Sequence, residues 1–496
     1  MSQMLSPSAS HAWAAGAVIA GLVTWYLASN TNEAKARQAG AILGPGPKRA
    51  PLVGNVFNFP KARWYEVFSE WAQEYGDIIY VDLGGLPMVI LNSLEAIRDL
   101  TEKRMNIHSG RPHFTLVCDI MGFGYSLSLM QPTRDYAEQR RLFQKAIGSH
   151  AVQEYDSFLR QGCSELLQRL DGFSGEPLSI LIQTVGNVLT RIAYGEHFAQ
   201  NHGPEIIQNN LDAVELVGWV STKFWLVDVI PLLRYIPAWF PGAAFKRVGE
   251  QGKGYAHVLR YRSFDYVKAA LAKGITDESI ISKYMNEGGF SEGNLRDAVA
   301  VMYAAGVDTT AITITHFIFS ITLYPEWQQQ IHEEMHQVLG HGHMPTIEDI
   351  PKLKMLNAVF NESLRWNPAA PIGVPHVATF TAILYNTDQP FRFVLRDPRL
   401  WGKDSQDFNP RRFLREYNPS VDELPDIWSI PFGFGRRICP GRHLARRAAL
   451  LYAAAILYSY EVLPYKGEVL TPNEPFEDSV VRRISHFRCT FKPRTE

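Results

Sequence analysis

The sequence is short of cysteine. Among 496 residues there are four, Cys118, Cys163, Cys439 and Cys489. They are scattered, with no C-x-x-C and no Cys/His cluster, which argues against structural zinc, iron–sulfur clusters and a disulfide framework. A reducing compartment is the natural inference. Net charge is scarce too. At −1, with a pI near 7.0, it makes no global case for nucleic acid. There is no internal repeat and no low-complexity block. No charged side chain precedes Glu33, and residues 1–11 hold no Lys or Arg.

Apolar surface is what the chain has in quantity. It is 46% hydrophobic against 20% charged, ample for a large buried core. Length alone suggests about three domains. Ala12–Ala28 is an uncharged apolar run with Trp13, Trp25 and Tyr26 near its ends. It approaches the ~20 residues that span a bilayer, and interfacial aromatics sit at such ends. A cleaved signal peptide is the competing reading, but it wants a positive leading region. Lys35, Arg37, Lys48 and Arg49 follow instead, which places the bulk of the chain on the cytoplasmic side. The expectation is a single-pass anchor over residues 1–30. Residues 31–55 then form a proline-rich linker, with Pro45, Pro47 and Pro51 favouring a stiff, extended course.

Trp64–Tyr75 and Leu94–Arg104 have helical patterns, and 76–92 reads as two strands joined at Gly84–Pro87. Thr133–Lys145 reads as an amphipathic helix with Arg140, Arg141 and Lys145 on a basic face. Leu295–Leu323 is a long helical pattern ended by Pro325. Within it lies A-A-G-V-D-T-T, Ala304–Thr310. Gly306 opens room beside the backbone, and Thr309 can bond back to a carbonyl one turn earlier, bending the helix. Asp308 supplies an acid beside the Thr309 hydroxyl, apt for delivering protons. A plain packing notch with a surface aspartate fits the same residues.

Phe432–Gly441 reads F-G-F-G-R-R-I-C-P-G, and Arg442–Tyr460 after it is Ala- and Leu-rich without Gly or Pro. That segment is expected to be helical, with Pro440 in its first turn. Cys439 then sits at a helix N-terminus, where free N–H groups and the dipole favour a thiolate. Gly433, Gly435 and Gly441 allow close approach by a flat ligand. Arg437 adds a fixed positive charge. A buried structural cysteine in a Gly-rich loop is the alternative for C-P-G alone.

The full spacing F-x-x-G-x-R-x-C-x-G, at Phe432, Gly435, Arg437, Cys439 and Gly441, resembles the haem-binding loop of the cytochrome P-450 family. In that family the cysteine is the axial ligand to the iron of heme b, and a thiolate favours O–O cleavage. Ala305, Gly306, Asp308 and Thr309 resemble the family's oxygen-activation motif. Tyr136 and Arg140 stand where the family has W-x-x-x-R, whose arginine grips a haem propionate. Glu362 and Arg365 share a helix face, and with Arg412 of F-N-P-R-R-F they resemble the family's structural Glu–Arg–Arg network. His376 is a candidate propionate contact. Ile230–Gly242, punctuated by three prolines, matches the family's membrane-dipping lid; a buried loop is the other reading. One stretch departs from the pattern. Phe380–Leu395 is too short for the family's strand–turn–strand, as if a segment were lost or mis-spliced, and a damaged sheet beside the haem pocket is expected.

The resemblance implies one α-rich domain with a small β lobe over residues 56–496. It looks like a fungal microsomal member, of the O-methylsterigmatocystin oxidoreductase type. The implied reaction is monooxygenation of an apolar small molecule with O2 and electrons from NADPH through a cytochrome reductase. Membrane lipid is an expected partner and nucleic acid is not. Arg140, Arg141, Lys145, Arg436, Arg442, Arg446 and Arg447 are the expected reductase-docking face. Met302, Tyr303 and Phe114 are candidate pocket positions. The alternatives are a haem-thiolate isomerase or dehydratase, and an inactive haem-binding variant.

Overall fold

The chain is built around a long buried helix, Glu292–Leu323. Most of its side chains from Leu295 onward are buried. A helix buried all round must satisfy its own polar groups. Thr309, Thr313, Thr315, Ser320 and Thr322 do so by donating to carbonyls four residues back at 2.7–2.9 Å. It starts three residues before the expected Leu295 because Ser291 caps it, accepting from the Asn294 N–H. Among the described residues it is the one helix long and apolar enough to cross a membrane, yet most of it is covered by protein.

The computed structural model describes residues 42–494, apart from 52, 276, 341, 379–385, 389–390, 473–475 and 478–480; of 386–388 only the backbone is described. The expected anchor Ala12–Ala28 and the start of the linker lie outside the described residues.

The main helices are α1 (Trp64–Tyr75), α2 (Arg134–Ile147), α3 (Asp156–Leu170), α4 (Pro177–Tyr194), α5 (Glu196–Ser221) and α6 (Ala244–His257). After them come α7 (Ser263–Ala272), α8 (Ile280–Glu287), the long helix α9, α10 (Pro325–Leu339), α11 (Lys354–Trp366) and α12 (Arg442–Ser459). The fold is mainly helical with two small sheets. α9 packs on α4, α12, α2 and α11. Ala453, Ala454 and Ala455 of α12 are fully buried, so small side chains bring that helix close to its neighbours. The expected helix Leu94–Arg104 is α-helical only to Arg98 and continues as a wider π turn over Asp99–Lys103.

β1 (Ile78–Leu83) and β2 (Leu86–Leu91) form the expected hairpin. Gly84 and Gly85 both have positive φ, as a tight hairpin turn requires. The first sheet has the order β1-β2-β5-β4, with β4 at His376–Val377 and β5 at Asn386–Asp388. β5 runs parallel to β2 and antiparallel to β4. So within the shortened segment the backbone of Asn386–Asp388 completes this sheet, and a short helix, Phe391–Val394, follows. The second sheet joins β3 (Ser174–Gly175), β7 (Cys489–Pro493) and β6 (Tyr460–Pro464). The proline-rich stretch is extended but does not run free. Pro45 O accepts from the Tyr80 N–H at 2.7 Å, and the buried Asn55 accepts from the Asp82 N–H at 2.9 Å.

α11 carries Glu362 and Arg365, both fully buried and one turn apart. Arg365 reaches the Glu362 carboxylate with two nitrogens at 2.7 and 2.8 Å. Arg412 adds contacts at 3.1 and 3.2 Å. Arg365 also donates to the carbonyls of Leu395, Ser405 and Asp407, and Glu362 accepts from the Asn409 N–H. One carboxylate and two guanidinium groups thus pin residues 395–412 onto α11. Replacing Glu362 by Gln leaves two buried cations under-compensated and should cost about 3–5 kcal/mol. Thermal unfolding of the Glu362→Gln variant checks this; a melting temperature equal to the parent's would contradict it.

Candidate active site

α12 begins where its Ala/Leu composition predicts, and the loop before it carries Cys439. The Cys439 N–H donates to Phe432 O at 2.7 Å, closing the loop on itself. Phe432 stacks on Trp428 with centroids 6.0 Å apart. Trp428 in turn donates to the Asn361 side chain of α11 at 2.8 Å. Gly435 has φ 57°, and a Cβ there would lie 2.0 Å from the Thr101 carbonyl oxygen. Backbone of the protein itself, and not a flat ligand, is what requires this glycine. Gly433 also has positive φ (78°), but it has open space and faces the cavity.

Cys439 opens onto a cavity of about 530 Å³. Its wall takes Ala304, Ala305, Gly306, Asp308 and Thr309 from α9, and Phe432, Gly433, Arg437 and Gly441 from the cysteine loop. Aliphatic and aromatic side chains from α4, α5 and α12 complete it, among them Val185, Leu189, Val217 and Leu444. Burial pushes the Cys439 thiol above its ordinary value. Opposing it are the Gly441 and Arg442 amides and the charges of Arg140 and Arg442. The helix N-terminus therefore acts in the expected sense, but desolvation outweighs it. Arg437 is not the stabilising charge. Its side chain is spent on the carbonyls of Ser109, Leu127 and Met130, at 2.8, 3.1 and 2.7 Å.

The expected acid–hydroxyl pair is not formed. Consecutive helix residues point in different directions. Thr309 donates to Ala305 O at 2.8 Å, whereas the buried Asp308 carboxylate accepts from Arg483 at 2.9 Å on both oxygens. Gly306 does give a notch, and Leu189 of α4 fills it: an added Cβ would meet its Cδ1 at 2.8 Å.

Tyr136 and Arg140 both line the cavity. The Tyr136 hydroxyl already donates to Arg436 O at 2.7 Å, and Arg140 donates to Ile438 O at 2.7 Å. His376 is buried on the same wall, and one ring nitrogen meets His108 O at 2.7 Å. A carbonyl only accepts, so Nδ1 carries the hydrogen there. Burial, then the Arg111 charge, lower the His376 pKa to about 3. The neutral ring has a lone pair at Nε2, so it would have to take up a proton before it could hold an anion there.

Arg111 was invisible in the sequence, where it stands between Gly110 and Pro112 without a motif. It is buried on the cavity wall and donates to the carbonyls of Val374 and Pro375 at 2.6 and 2.7 Å. Its Nε has no partner among the described residues. Burial and the Arg437 charge lower its pKa to about 9. Of the candidate pocket positions, Met302 is on the wall. Tyr303 turns away into the core beside Tyr194 and Thr190, and Phe114 lies off the wall.

A family model described as Cytochrome P450 matches residues 44–491. The chain belongs to the cytochrome P450 family. It is 32% identical to cytochrome P450 monooxygenase 176 of Postia placenta, covering 92% of this chain and 91% of that protein. It is 30% identical to cytochrome P450 monooxygenase ple1 of Rhodocybe pseudopiperita, covering 92% and 90%. The family consists of oxidoreductases that incorporate oxygen, with haem b bound through a cysteine thiolate. The cavity fits that group. Arg111, Arg140 and Arg437 converge on it without a carboxylate partner among the described residues, so a dianionic, flat, otherwise apolar molecule supplies the missing counter-charge.

The two glycines of the loop should behave differently. Gly433→Ala costs the left-handed strain alone, about 1–2 kcal/mol. Gly435→Ala adds a clash with a backbone carbonyl and should prevent the loop from assembling. Thermal melts and haem content of the two variants compare them; equal losses would refute the distinction.

Proposed function

We propose that this chain is a membrane-bound haem-thiolate monooxygenase that inserts one oxygen atom of O2 into an apolar small molecule. Cys439 would supply the thiolate that binds the haem iron. The reading is carried by one observation: the Cys439 sulfur and the Ala305–Thr309 turn line one apolar-walled cavity. When bound, haem b supplies the activation of dioxygen, and a thiolate ligand favours O–O cleavage. The loop amides and the Arg140 and Arg442 charges favour the Cys439 thiolate against the burial that opposes it, and bound iron would take the cysteine in its deprotonated form. Arg111, Arg140 and Arg437 would hold the anionic groups of the haem, with Phe432 and Gly433 on the wall beside it; Tyr136 and His376 share that wall, but the Tyr136 hydroxyl is committed to Arg436 O and the His376 ring is neutral. Ala305 would leave room on the α9 side of the cavity, while Leu189 fills the notch at Gly306. The Thr309 hydroxyl holds a proton at its Oγ1, whereas Asp308, paired with Arg483, does not meet that hydroxyl in this arrangement. The apolar wall excludes water and selects an apolar substrate.

Electrons come from NADPH through a flavoprotein reductase docking on the cysteine side. Two residues leave the expected face. Arg140 turns inward to the cavity, and Arg447 is paired with Asp156 at 2.5 Å. Arg141, Lys145, Arg436 and Arg446 are exposed, and Arg442 is half-buried. Ile230–Gly242 is not a buried loop: Leu232 and Tyr235 are each 74% exposed and Trp239 is 80% exposed. With the exposed Phe224, Leu226 and Phe240 nearby in sequence, these side chains form the surface that enters lipid.

The reduced, carbon monoxide-bound spectrum of isolated membranes tests the cysteine assignment. A red-shifted Soret band should appear in the parent and move to the neutral-ligand position in Cys439→His. A parent spectrum without the red-shifted band would sink the reading. Arg446→Glu should keep this spectrum and slow reductase-driven haem reduction about tenfold at low salt. Arg447→Glu should instead lower the melting temperature, because Asp156 loses its partner. Reduction kinetics indifferent to Arg446→Glu would remove it from the docking face.

A further inference from the structure

α5 turns one stripe of side chains to the cavity. Asn210, Ala213, Val214, Val217, Gly218 and Ser221 recur at helical spacing, and all six line it. Two of them are polar, and they are served differently. Ser221, at the exposed end of the helix, donates to Val217 O at 2.7 Å. Asn210 is 0% exposed. Its Nδ2 donates to Ala304 O of α9 at 3.4 Å, a long bond. Its Oδ1 has no hydrogen-bond partner among the described residues.

Turning the amide over does not cure this. With the two atoms exchanged, Oδ1 would face Ala304 O, acceptor against acceptor. Packing does not ask for an amide here either. The next members of the stripe are small or aliphatic, and a leucine of similar size would fill the place without burying an unpaired oxygen. A buried acceptor left without a donor is costly, so an atom of this kind calls for a water or a ligand to complete it. This one belongs to a residue of the cavity wall, opposite Ala304 and Ala305.

We infer that Asn210 Oδ1 is the acceptor for a hydroxyl or N–H group of the substrate, and that the substrate class is an apolar molecule bearing one such donor. The donor pairs with Oδ1 while the apolar body lies along Ala213, Val214 and Val217. Nδ2 is anchored at Ala304 O, so the donor is held at a set offset from Ala305 and Thr309 in the following turn of α9. An analogue without the donor leaves the oxygen unpaired and is rejected on that account. Asn210 is thus a specificity-determining residue. The inference rests on the monooxygenase reading for calling the occupant a substrate. The acceptor itself rests on the hydrogen bonding of one side chain.

The test is calorimetric titration of the purified full-length holoenzyme with 2-adamantanol and with larger rigid secondary alcohols, each beside the corresponding ketone. The ketone keeps the size and the oxygen but cannot donate, so the ratio of the two dissociation constants isolates the donor. The parent should prefer at least one alcohol to its ketone by about tenfold. Asn210→Leu should bring that ratio close to one, because desolvation of the probes is common to both proteins and cancels. Asn210→Ala, which needs no new space, gives the same comparison should the leucine variant not fold.

A parent in which no alcohol outbinds its ketone overturns the assignment; that is the result when water alone completes Oδ1. A preference that survives in the variants overturns it as well, since an alcohol oxygen bound directly to iron would produce it. Titration needs no turnover. A parent lacking the thiolate-type carbon monoxide spectrum would therefore defeat the monooxygenase reading, while the alcohol-to-ketone ratio would still decide the acceptor.

Discussion

Everything around the cysteine depends on the carboxylate of Glu362. It is fully buried and would be prohibitively costly there alone. Two guanidinium groups and a backbone N–H make it tolerable, and each brings a different part of the chain with it. Arg365 fixes three carbonyls of the 395–407 stretch. From the same helix Asn361 holds Trp428, and Phe360 stacks on that indole at 5.7 Å. Trp428 then stacks on Phe432, whose carbonyl fixes the Cys439 amide. The position of one sulfur atom is thus set by a helix some seventy residues away in sequence. The charges are not there for their pairwise energy, since an apolar replacement could match that. They are there because a fork with five donors can tie one helix to several strands of loop at once.

On the cavity wall itself the accounting is reversed. Arg111, Arg140 and Arg437 converge on a wall where their hydrogen bonds go to carbonyls. Carbonyls satisfy the N–H groups but not the charge. The protein's own arrangement leaves positive potential facing an apolar space, and only a bound anion completes it. Folding and cofactor loading are therefore linked: whatever neutralises this wall binds the folded state preferentially and adds to its stability.

Much of the local structure was legible. Trp64–Tyr75 is the helix its pattern predicts, and Gly84–Gly85 turns the hairpin because glycine adopts two successive positive φ values without strain. The cysteine loop and Glu362–Arg365–Arg412 were readable because their spacing is short and specific. What escaped depends on pairs far apart in the chain. Asp308 and Arg483 are 175 residues apart, and nothing near Arg483 announces the partner. Arg111 likewise takes its meaning from Val374 and Pro375. The misreadings have the same origin. Tyr136 and Arg140 were expected at a propionate and Arg437 as a fixed positive charge, but the carbonyls of Arg436, Ile438, Ser109, Leu127 and Met130 take their donors. Adjacent letters also invited Asp308 and Thr309 to be read as one group, although a helix separates them by about 100°.

Gly306 and Gly435 look alike in the sequence, yet they leave very different room for descent with modification. The obstacle to a larger residue at 306 is the tip of Leu189, a side chain that can itself mutate. A lineage can trade bulk between these two positions and reshape the cavity by steps that each stay viable. The obstacle at 435 is the carbonyl oxygen of Thr101, which every amino acid carries. No second substitution can remove it. One glycine is a place where substrate range can drift between relatives; the other is frozen for as long as the loop keeps its course.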